Sequence, residues 1–109
     1  LGGVDVLLCS AGVGQRTSAV ETDAEAHRRI MATNFEGSVA LTRALLPQML
    51  ERRSGHVVVV SSVQGFFGQP FRSSYAASKA AVFAFFDALR AEVSASGVIV
   101  TTVAPGYIA

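Results

Sequence analysis

The stretch His56-Val57-Val58-Val59-Val60-Ser61 sets four valines in succession, without the polar alternation of a strand that has one face in water. Two similar runs flank it along the chain, VDVLL at residues 4–8 and VIVTTV at residues 98–103. Short continuous apolar runs are typical of strands in a parallel sheet that helices cover on both faces. The sequence therefore predicts three buried, parallel strands.

Long helical segments are predicted in both gaps between these strands. The first begins with a capping box, in which Thr22 caps the helix and Glu25 reaches back to it. Apolar residues then recur close to helical spacing until basic residues and Gly55 give a stop signal. Within this segment, Gly37 and Pro47 are expected to weaken or bend the helix.

A second helix is predicted over residues 74–94, with Gly97 after it as a left-handed cap. Its segment AAVFAFFDAL, residues 80–89, is apolar almost all round, so two sides of the helix have to be covered. One side faces the sheet, and the other is covered either by helices of a second subunit or by loops of the same chain. The order of strands and helices predicts half of a doubly wound α/β sheet.

The composition is that of one globular domain or a piece of one. The 109 residues carry 9 Lys and Arg against 8 Asp and Glu, with neither sign in runs, which makes nucleic acid an improbable partner. One cysteine excludes an internal disulfide and favours a reducing compartment. No apolar run approaches the roughly 20 residues of a membrane span.

Small and hydroxyl residues follow each predicted strand. The three segments are CSAGVG at residues 9–14, SSVQG at residues 61–65 and APGY at residues 104–107. In open parallel sheets a ligand lies beyond the carboxyl ends of the strands, and small residues let it approach the backbone closely. The binding site is therefore expected at this edge of the sheet.

Tyr75 and Lys79 form the most specific pattern in the chain. A separation of four puts both side chains on one face of the second helix, about 5–6 Å apart at Cβ. A cation beside a phenol favours its ionised form, so this pair could move a proton to or from a substrate oxygen. The alternative is an amphipathic tyrosine at a helix start beside a solvated lysine, because the motif is short.

Two further polar residues, Ser62 and Asn34, could act at the same site as Tyr75 and Lys79. Ser62 ends the middle strand 13 positions before Tyr75, where its hydroxyl could donate to the same substrate oxygen or merely cap the strand. Asn34 is polar on an otherwise apolar helix face. It is either a solvated residue or the mark of a local opening of the helix that holds a water near Lys79.

Taken together, Asn34, Ser62, Tyr75 and Lys79, with Cys-Ser-Ala-Gly after the first strand and Pro-Gly after the last, resemble the short-chain dehydrogenase/reductase family. The resemblance covers the whole chain. Segments such as LTRALLP at residues 41–47 and PFRSSY at residues 70–75 are similar in particular to the member-seven branch, types B and C. It implies the C-terminal half of a Rossmann-like sheet, with three strands and two long helices.

The resemblance also implies an oxidoreductase that interconverts an alcohol and a carbonyl with NAD or NADP, NADP being slightly favoured. Tyr75 would be the general acid/base, and Lys79 would favour its ionised form and bind the nicotinamide ribose. Ser62 would orient the substrate oxygen, and Asn34 would support a proton-relay water. The residues expected beside the cofactor are Ser10, Ala11, Gly12, Asn34, Tyr75, Lys79, Pro105, Gly106 and Ile108.

Further expectations concern the whole protein. By resemblance it would be intracellular, attached to the endoplasmic reticulum membrane, and a homo-oligomer through the two long helices. Cys9 and Ser10 replace two asparagines that the family usually has, and Cys9 is expected to be a small buried residue. His27 and His56 have no ligand spacing, so no metal site is expected.

The chain is expected to be a fragment, residues 1–109 forming part of an NAD(P)-binding domain whose phosphate-binding loop and first strands lie before Leu1. The alternatives are a non-catalytic or regulatory relative, an inactive structural module, or a flavodoxin-like binding domain. The loop GFFGQPFR at residues 65–72 carries three phenylalanines beside the predicted site. These favour an apolar substrate such as a steroid, retinoid or lipid-derived carbonyl, unless the rings pack beneath the second helix.

Overall fold

The computed structural model describes residues 4–10 and 12–105. Strands and helices alternate along this part of the chain, and two shorter turns accompany them. The elements are β1 (Val6–Cys9), α1 (Ala24–Met31), a π-helical turn (Ala32–Glu36), α2 (Gly37–Arg52), β2 (Gly55–Val60), a 3₁₀ turn (Val63–Gly65), α3 (Ser73–Glu92) and β3 (Val98–Val103).

The three strands form one parallel sheet in the order β1-β2-β3, which confirms the predicted Rossmann-like architecture. Leu7, Val57 and Val100 stand side by side across it, and all three are buried. Val82 and Phe86 of α3 complete the core on that face without any exposed surface. The carboxyl ends of the strands therefore share one edge, as the site prediction requires.

Helices cover only one face of the sheet within the described residues, so the prediction of strands buried on both faces is wrong for them. Leu7 and Cys9 of β1 are buried, whereas Val6 and Leu8 are 59% and 60% exposed. Both crossovers step in the same direction across the sheet. Because crossovers of this kind are right-handed, they bring their helices to the same face.

The first long helix differs from its prediction in two ways. Asp23, not Thr22, is the N-cap, since its carboxylate accepts from the Ala26 amide at 2.7 Å. The helix then opens into the π-helical turn, where the Gly37 amide donates to the Ala32 carbonyl oxygen five residues back. This confirms the local opening of the helix at Asn34, and the water that it is expected to hold near Lys79 stays a prediction.

The aromatic residues of α3 find their partners within the chain. Phe86 lies in the core under the sheet. Phe83 stacks edge-on against Phe66 with ring centroids 4.8 Å apart, and Phe85 does the same against Phe35 at 6.1 Å. These contacts cover part of the surface of α3 that the sheet leaves open, whereas Ala77, Ala84 and Ala88 stay exposed.

No helix within residues 4–10 and 12–105 is both long and apolar enough to cross a membrane.

Candidate active site

A cavity of about 490 Å³ opens at the carboxyl ends of the strands. It brings together residues from all three segments that the sequence singled out, and from the start of α3. Its lining includes Ser10, Gly12, Ser62, Tyr75, Lys79 and Pro105. Three of the four predicted catalytic residues therefore face one space, together with Ser10, Gly12 and Pro105 of the predicted cofactor contacts.

Asn34 is the fourth predicted residue, and it lies behind the cavity rather than in its wall. It is 1% exposed. Its Oδ1 accepts from the Val13 amide at 2.6 Å, and its Nδ2 donates to the Val13 carbonyl oxygen at 3.0 Å and to Ser78 Oγ at 3.1 Å. Asn34 therefore ties the loop after β1 to α3, a solvated role being ruled out by its burial.

Lys79 is the only lysine in the chain, and it is 5% exposed. Its Nζ lies 5.8 Å from the centre of the Tyr75 ring and 3.5 Å from the Val60 carbonyl oxygen. Burial removes water from the ammonium and lowers its pKa from the ordinary 10.5. An anion placed beside this nitrogen would stabilise its charged form, so the site suits a substrate or cofactor with oxygen acceptors.

Tyr75 and Ser62 face the cavity from two different elements. Tyr75 is half-buried in the first turn of α3. Ser62 caps the short turn after β2, where its Oγ accepts from the Gln64 amide at 3.2 Å. Because a hydroxyl both accepts and donates, this bond leaves the Ser62 proton available for a substrate oxygen.

Gly12 keeps the floor of the cavity open. A Cβ at this position would stand 3.4 Å from Asn34 Oδ1 and 3.5 Å from Lys79 Nζ, so a side chain would fill the space beside the ammonium. The surrounding small residues, the hydroxyl of Ser10 and the Lys79 ammonium are the chemistry that a nicotinamide ribose requires. The residues present thus fit the nicotinamide end of NAD or NADP.

Ser78 and Gly65 also contribute to the site, and of these two only Ser78 lies outside the segments that the sequence singled out. Ser78 accepts from Asn34 and donates to the Tyr75 carbonyl oxygen at 2.7 Å. Gly65 packs so closely on α3 that a Cβ would lie 3.0 Å from the Lys79 carbonyl carbon. The signal for Ser78 was present, because it is a small polar residue in an otherwise apolar helix segment.

The remaining candidates take no part in the cavity. Burial raises the pKa of the Cys9 thiol, which keeps it protonated and a poor nucleophile. His27 Nδ1 bonds Ser74 Oγ at 2.7 Å, and His56 Nε2 bonds Thr101 Oγ1 at 2.8 Å. Among residues 4–10 and 12–105, no three His, Cys, Asp or Glu side chains are grouped as metal ligands would be.

The predicted cofactor contacts Ala11, Gly106 and Ile108 lie outside the described residues.

Comparison with known proteins decides the family. The model of the short chain dehydrogenase family matches residues 1–109, the whole chain. The chain belongs to this family. Dehydrogenase/reductase SDR family member 7B of Bos taurus is 55% identical over 98% of the chain, and member 7C of Homo sapiens is 47% identical over the same share. Both fit the member-seven branch that the sequence resembles.

Solved structures of the short-chain dehydrogenase family share the fold. A short-chain dehydrogenase from Streptomyces avermitilis superposes with a TM-score of 0.94 at 41% identity, over 99% of this chain and 40% of its own. An oxidoreductase of the family from Burkholderia thailandensis gives 0.87 at 29% identity, over 95% of this chain and 41% of its own. The chain spans about a third of the length of the member 7B and 7C relatives, 33% and 34%.

The buried ammonium of this short-chain dehydrogenase predicts a pH dependence of stability. The folded protein binds its Lys79 proton less tightly than the unfolded chain, whose lysine has a pKa of about 10.5. Between the two pKa values the unfolded chain holds more protons, so the cost of burying the charge falls as the pH rises. Relative to Lys79→Met, the full-length, cofactor-free protein should therefore gain stability as the pH rises towards about 10.5.

Denaturant unfolding from about pH 7 to about pH 10.5 measures this difference. The exposed cation Arg43 on α2 provides the control, since Arg43→Met should leave the wild-type pH dependence unchanged. Parallel curves for wild type and Lys79→Met would contradict the prediction.

Proposed function

We propose that the protein of which this chain is a part is an NAD(P)-dependent oxidoreductase that interconverts an alcohol and a carbonyl. The observation that carries the proposal is that Ser62, Tyr75 and Lys79 line one cavity at the carboxyl ends of the strands. A hydroxyl, a phenol and an ammonium in one space can hold a substrate oxygen and exchange a proton with it. A module with no catalytic task would not require this combination.

Each residue has one task in this reaction. Ser62 donates its proton to the substrate oxygen and orients it. Tyr75 gives a proton to that oxygen during reduction and takes it back during oxidation. Lys79 provides the positive charge beside the phenol and binds ribose hydroxyls. NAD or NADP supplies or accepts the hydride when bound, and the resemblance slightly favours NADP.

The finer part of the proposal is an apolar substrate. None of the rings of Phe66, Phe67 and Phe71 lines the cavity that contains Tyr75, and Phe66 stacks on α3. Phe71, however, is 59% exposed and has φ +67°, a left-handed conformation that an aromatic residue adopts only at a cost. Its neighbour Arg72 does line the cavity. Phe71 is therefore the ring that we assign to the substrate.

A homo-oligomer through α2 and α3 is also part of the proposal, with a second copy of the chain as the partner. Its support is a row of small, exposed residues on each helix, Ala40 and Ala44 on α2 and Ala77, Ala84 and Ala88 on α3. Small residues let two helices approach closely over a flat, symmetric contact. The aromatic rings of α3, which have partners within the chain, are not needed for it.

Sedimentation of the full-length protein at micromolar concentration tests this arrangement. We expect a dimer or tetramer, and a smaller species for Ala84→Arg, because a charge in the centre of a symmetric contact meets its own copy. Ala24→Arg, at an exposed position of α1, is the matched control. A wild-type monomer would show that this surface is no interface.

The substitution Tyr75→Phe tests the reaction itself. In the full-length protein it should lower kcat by about 10²–10⁴-fold, because it removes the transferable proton and keeps the ring. The dissociation constant of the cofactor, measured by nucleotide fluorescence, should stay near the wild-type value. Wild-type turnover of any accepted alcohol or carbonyl by Tyr75→Phe would refute the assignment and favour a non-catalytic relative.

The substitution Phe71→Ala tests the apolar substrate. We expect kcat/KM to fall by about tenfold for a long-chain carbonyl and to change little for a short polar one, because only the former loses apolar contact. Phe66→Ala is the matched control, since that ring packs on Phe83. An equal fall for both carbonyls, or none, would assign Phe71 to packing alone.

A further inference from the structure

The first turn of α3 has no side-chain cap from its own N-cap residue. Arg72 occupies that position and makes no capping hydrogen bond through its side chain. The first amides of a helix lack partners within the helix and need acceptors from elsewhere. The amide of Tyr75 finds one 60 residues away, because it donates to Gln15 Oε1 at 2.9 Å.

Gln15 is itself firmly held. It is 6% exposed. Its Nε2 donates to the Thr17 carbonyl oxygen at 3.1 Å and to Thr22 Oγ1 at 2.9 Å, and Thr22 Oγ1 donates onward to the Ser18 carbonyl oxygen at 2.7 Å. Since the amide oxygen faces a donor and the amide nitrogen faces two acceptors, only one orientation of the side chain satisfies all three contacts.

Tyr75 and Lys79 are anchored to different parts of the protein. The turn that carries Tyr75 is held by Gln15 and, next to it, by the bond between His27 and the buried Ser74. The backbone of Lys79 is instead held by Ser61, whose hydroxyl donates to the Lys79 carbonyl oxygen at 2.9 Å. A change at Gln15 should therefore move the phenol without moving the ammonium.

We propose that Gln15 is a positioning residue, which fixes the phenol of Tyr75 relative to Lys79 by capping the first turn of α3. The inference rests on the proposed role of Tyr75 as the proton donor and acceptor. Gln15 does not line the cavity, so it touches neither substrate nor cofactor. Misplacement of a reacting group by about 1 Å is enough to cost about 10²-fold in rate.

Hydrogen exchange of the full-length protein provides a test that does not depend on turnover. In Gln15→Met, which keeps the size of the side chain but no acceptor, the Tyr75 amide should exchange on the order of tenfold faster. The Phe83 amide, whose helical acceptor is the carbonyl oxygen of Lys79, should keep its wild-type protection. Gln48→Met, at an exposed position of α2, is the control and should change neither amide.

Kinetics of the same variants complete the test. Gln15→Met should lower kcat by about 10- to 100-fold while the KM for the cofactor stays constant, because Lys79 keeps its anchor. Gln15→Glu should recover part of kcat, since one carboxylate oxygen can accept from the Tyr75 amide at a helix N-terminus, whereas the other oxygen cannot donate to the Thr17 carbonyl oxygen as Nε2 does. A merely structural residue would lower the thermal midpoint and would not be rescued by glutamate.

The outcomes separate this inference from the proposed function. Wild-type kcat in a Gln15→Met protein whose Tyr75 amide is deprotected overturns the positioning role. So does an equal loss of protection at the amides of Tyr75 and Phe83. If Gln15→Met fails to fold, Thr22→Val, which removes one of the two acceptors of Nε2, should give a smaller change in the same direction. If Tyr75→Phe keeps its activity, the proposed role of Tyr75 in the reaction is refuted. The exchange measurement on Gln15→Met still reports the hydrogen bond from the Tyr75 amide to Gln15.

Discussion

The amide of Asn34 is the contact on which the described site depends. It pairs with both backbone groups of Val13 and donates to Ser78, at a position that water does not reach. A buried amide that lost these partners would leave several polar groups unsatisfied, at about 1–3 kcal/mol each. The relative positions of the loop after β1, the π-helical turn and α3 therefore depend on this one side chain.

The cavity follows from this contact. With Val13 fixed against Asn34, the glycine before it lies next to the Lys79 ammonium, and no side chain fills the space between them. The strand ends bring Ser62 to the same edge of the sheet, and α3 brings Tyr75 and Lys79. The residues of the site thus belong to elements that are separate in the sequence and that the parallel sheet brings together. Sites in open α/β sheets are generally arranged in this way.

The sequence predicts most of this arrangement because its signals are local. Runs of valine mark the strands, and the spacing of Tyr75 and Lys79 marks a helix face. The sequence does not predict that one face of the sheet stays uncovered within residues 4–10 and 12–105. The direction in which each crossover steps across the sheet decides which face its helix covers, and the residues of a strand carry no information about that direction. The choice of Asp23 over Thr22 as the cap is also a tertiary effect, since the Thr22 hydroxyl bonds Ser18 and Gln15.

Polar contacts between residues that are distant in the chain are the hardest contacts to predict from the sequence. The bond from Tyr75 to Gln15 joins positions 60 residues apart, and nothing in the local pattern of either residue distinguishes it from a solvated glutamine beside a helix. Asn34 and Ser78 are each marked as a polar residue in an apolar helix segment, but neither pattern indicates that the two, 44 residues apart, are partners. Apolar periodicity indicates which faces of an element are buried, so it gives no information about which polar residues meet.

The π-helical turn keeps one face of a long helical segment directed at the rest of the protein. Buried residues recur at every fourth position, Ile30, Asn34, Ser38 and Thr42, although each step of four in an α-helix overshoots a full turn by about 40°. The wider turn at Ala32–Glu36 takes up part of that drift. Deleting one residue there would let an ordinary α-helix form with α2 in nearly the same orientation, because the rotation lost with the residue is close to the rotation that the wide turn removes. The deletion would instead close the turn that holds Asn34, so the additional residue serves the polar contacts of Asn34 and not the orientation of α2.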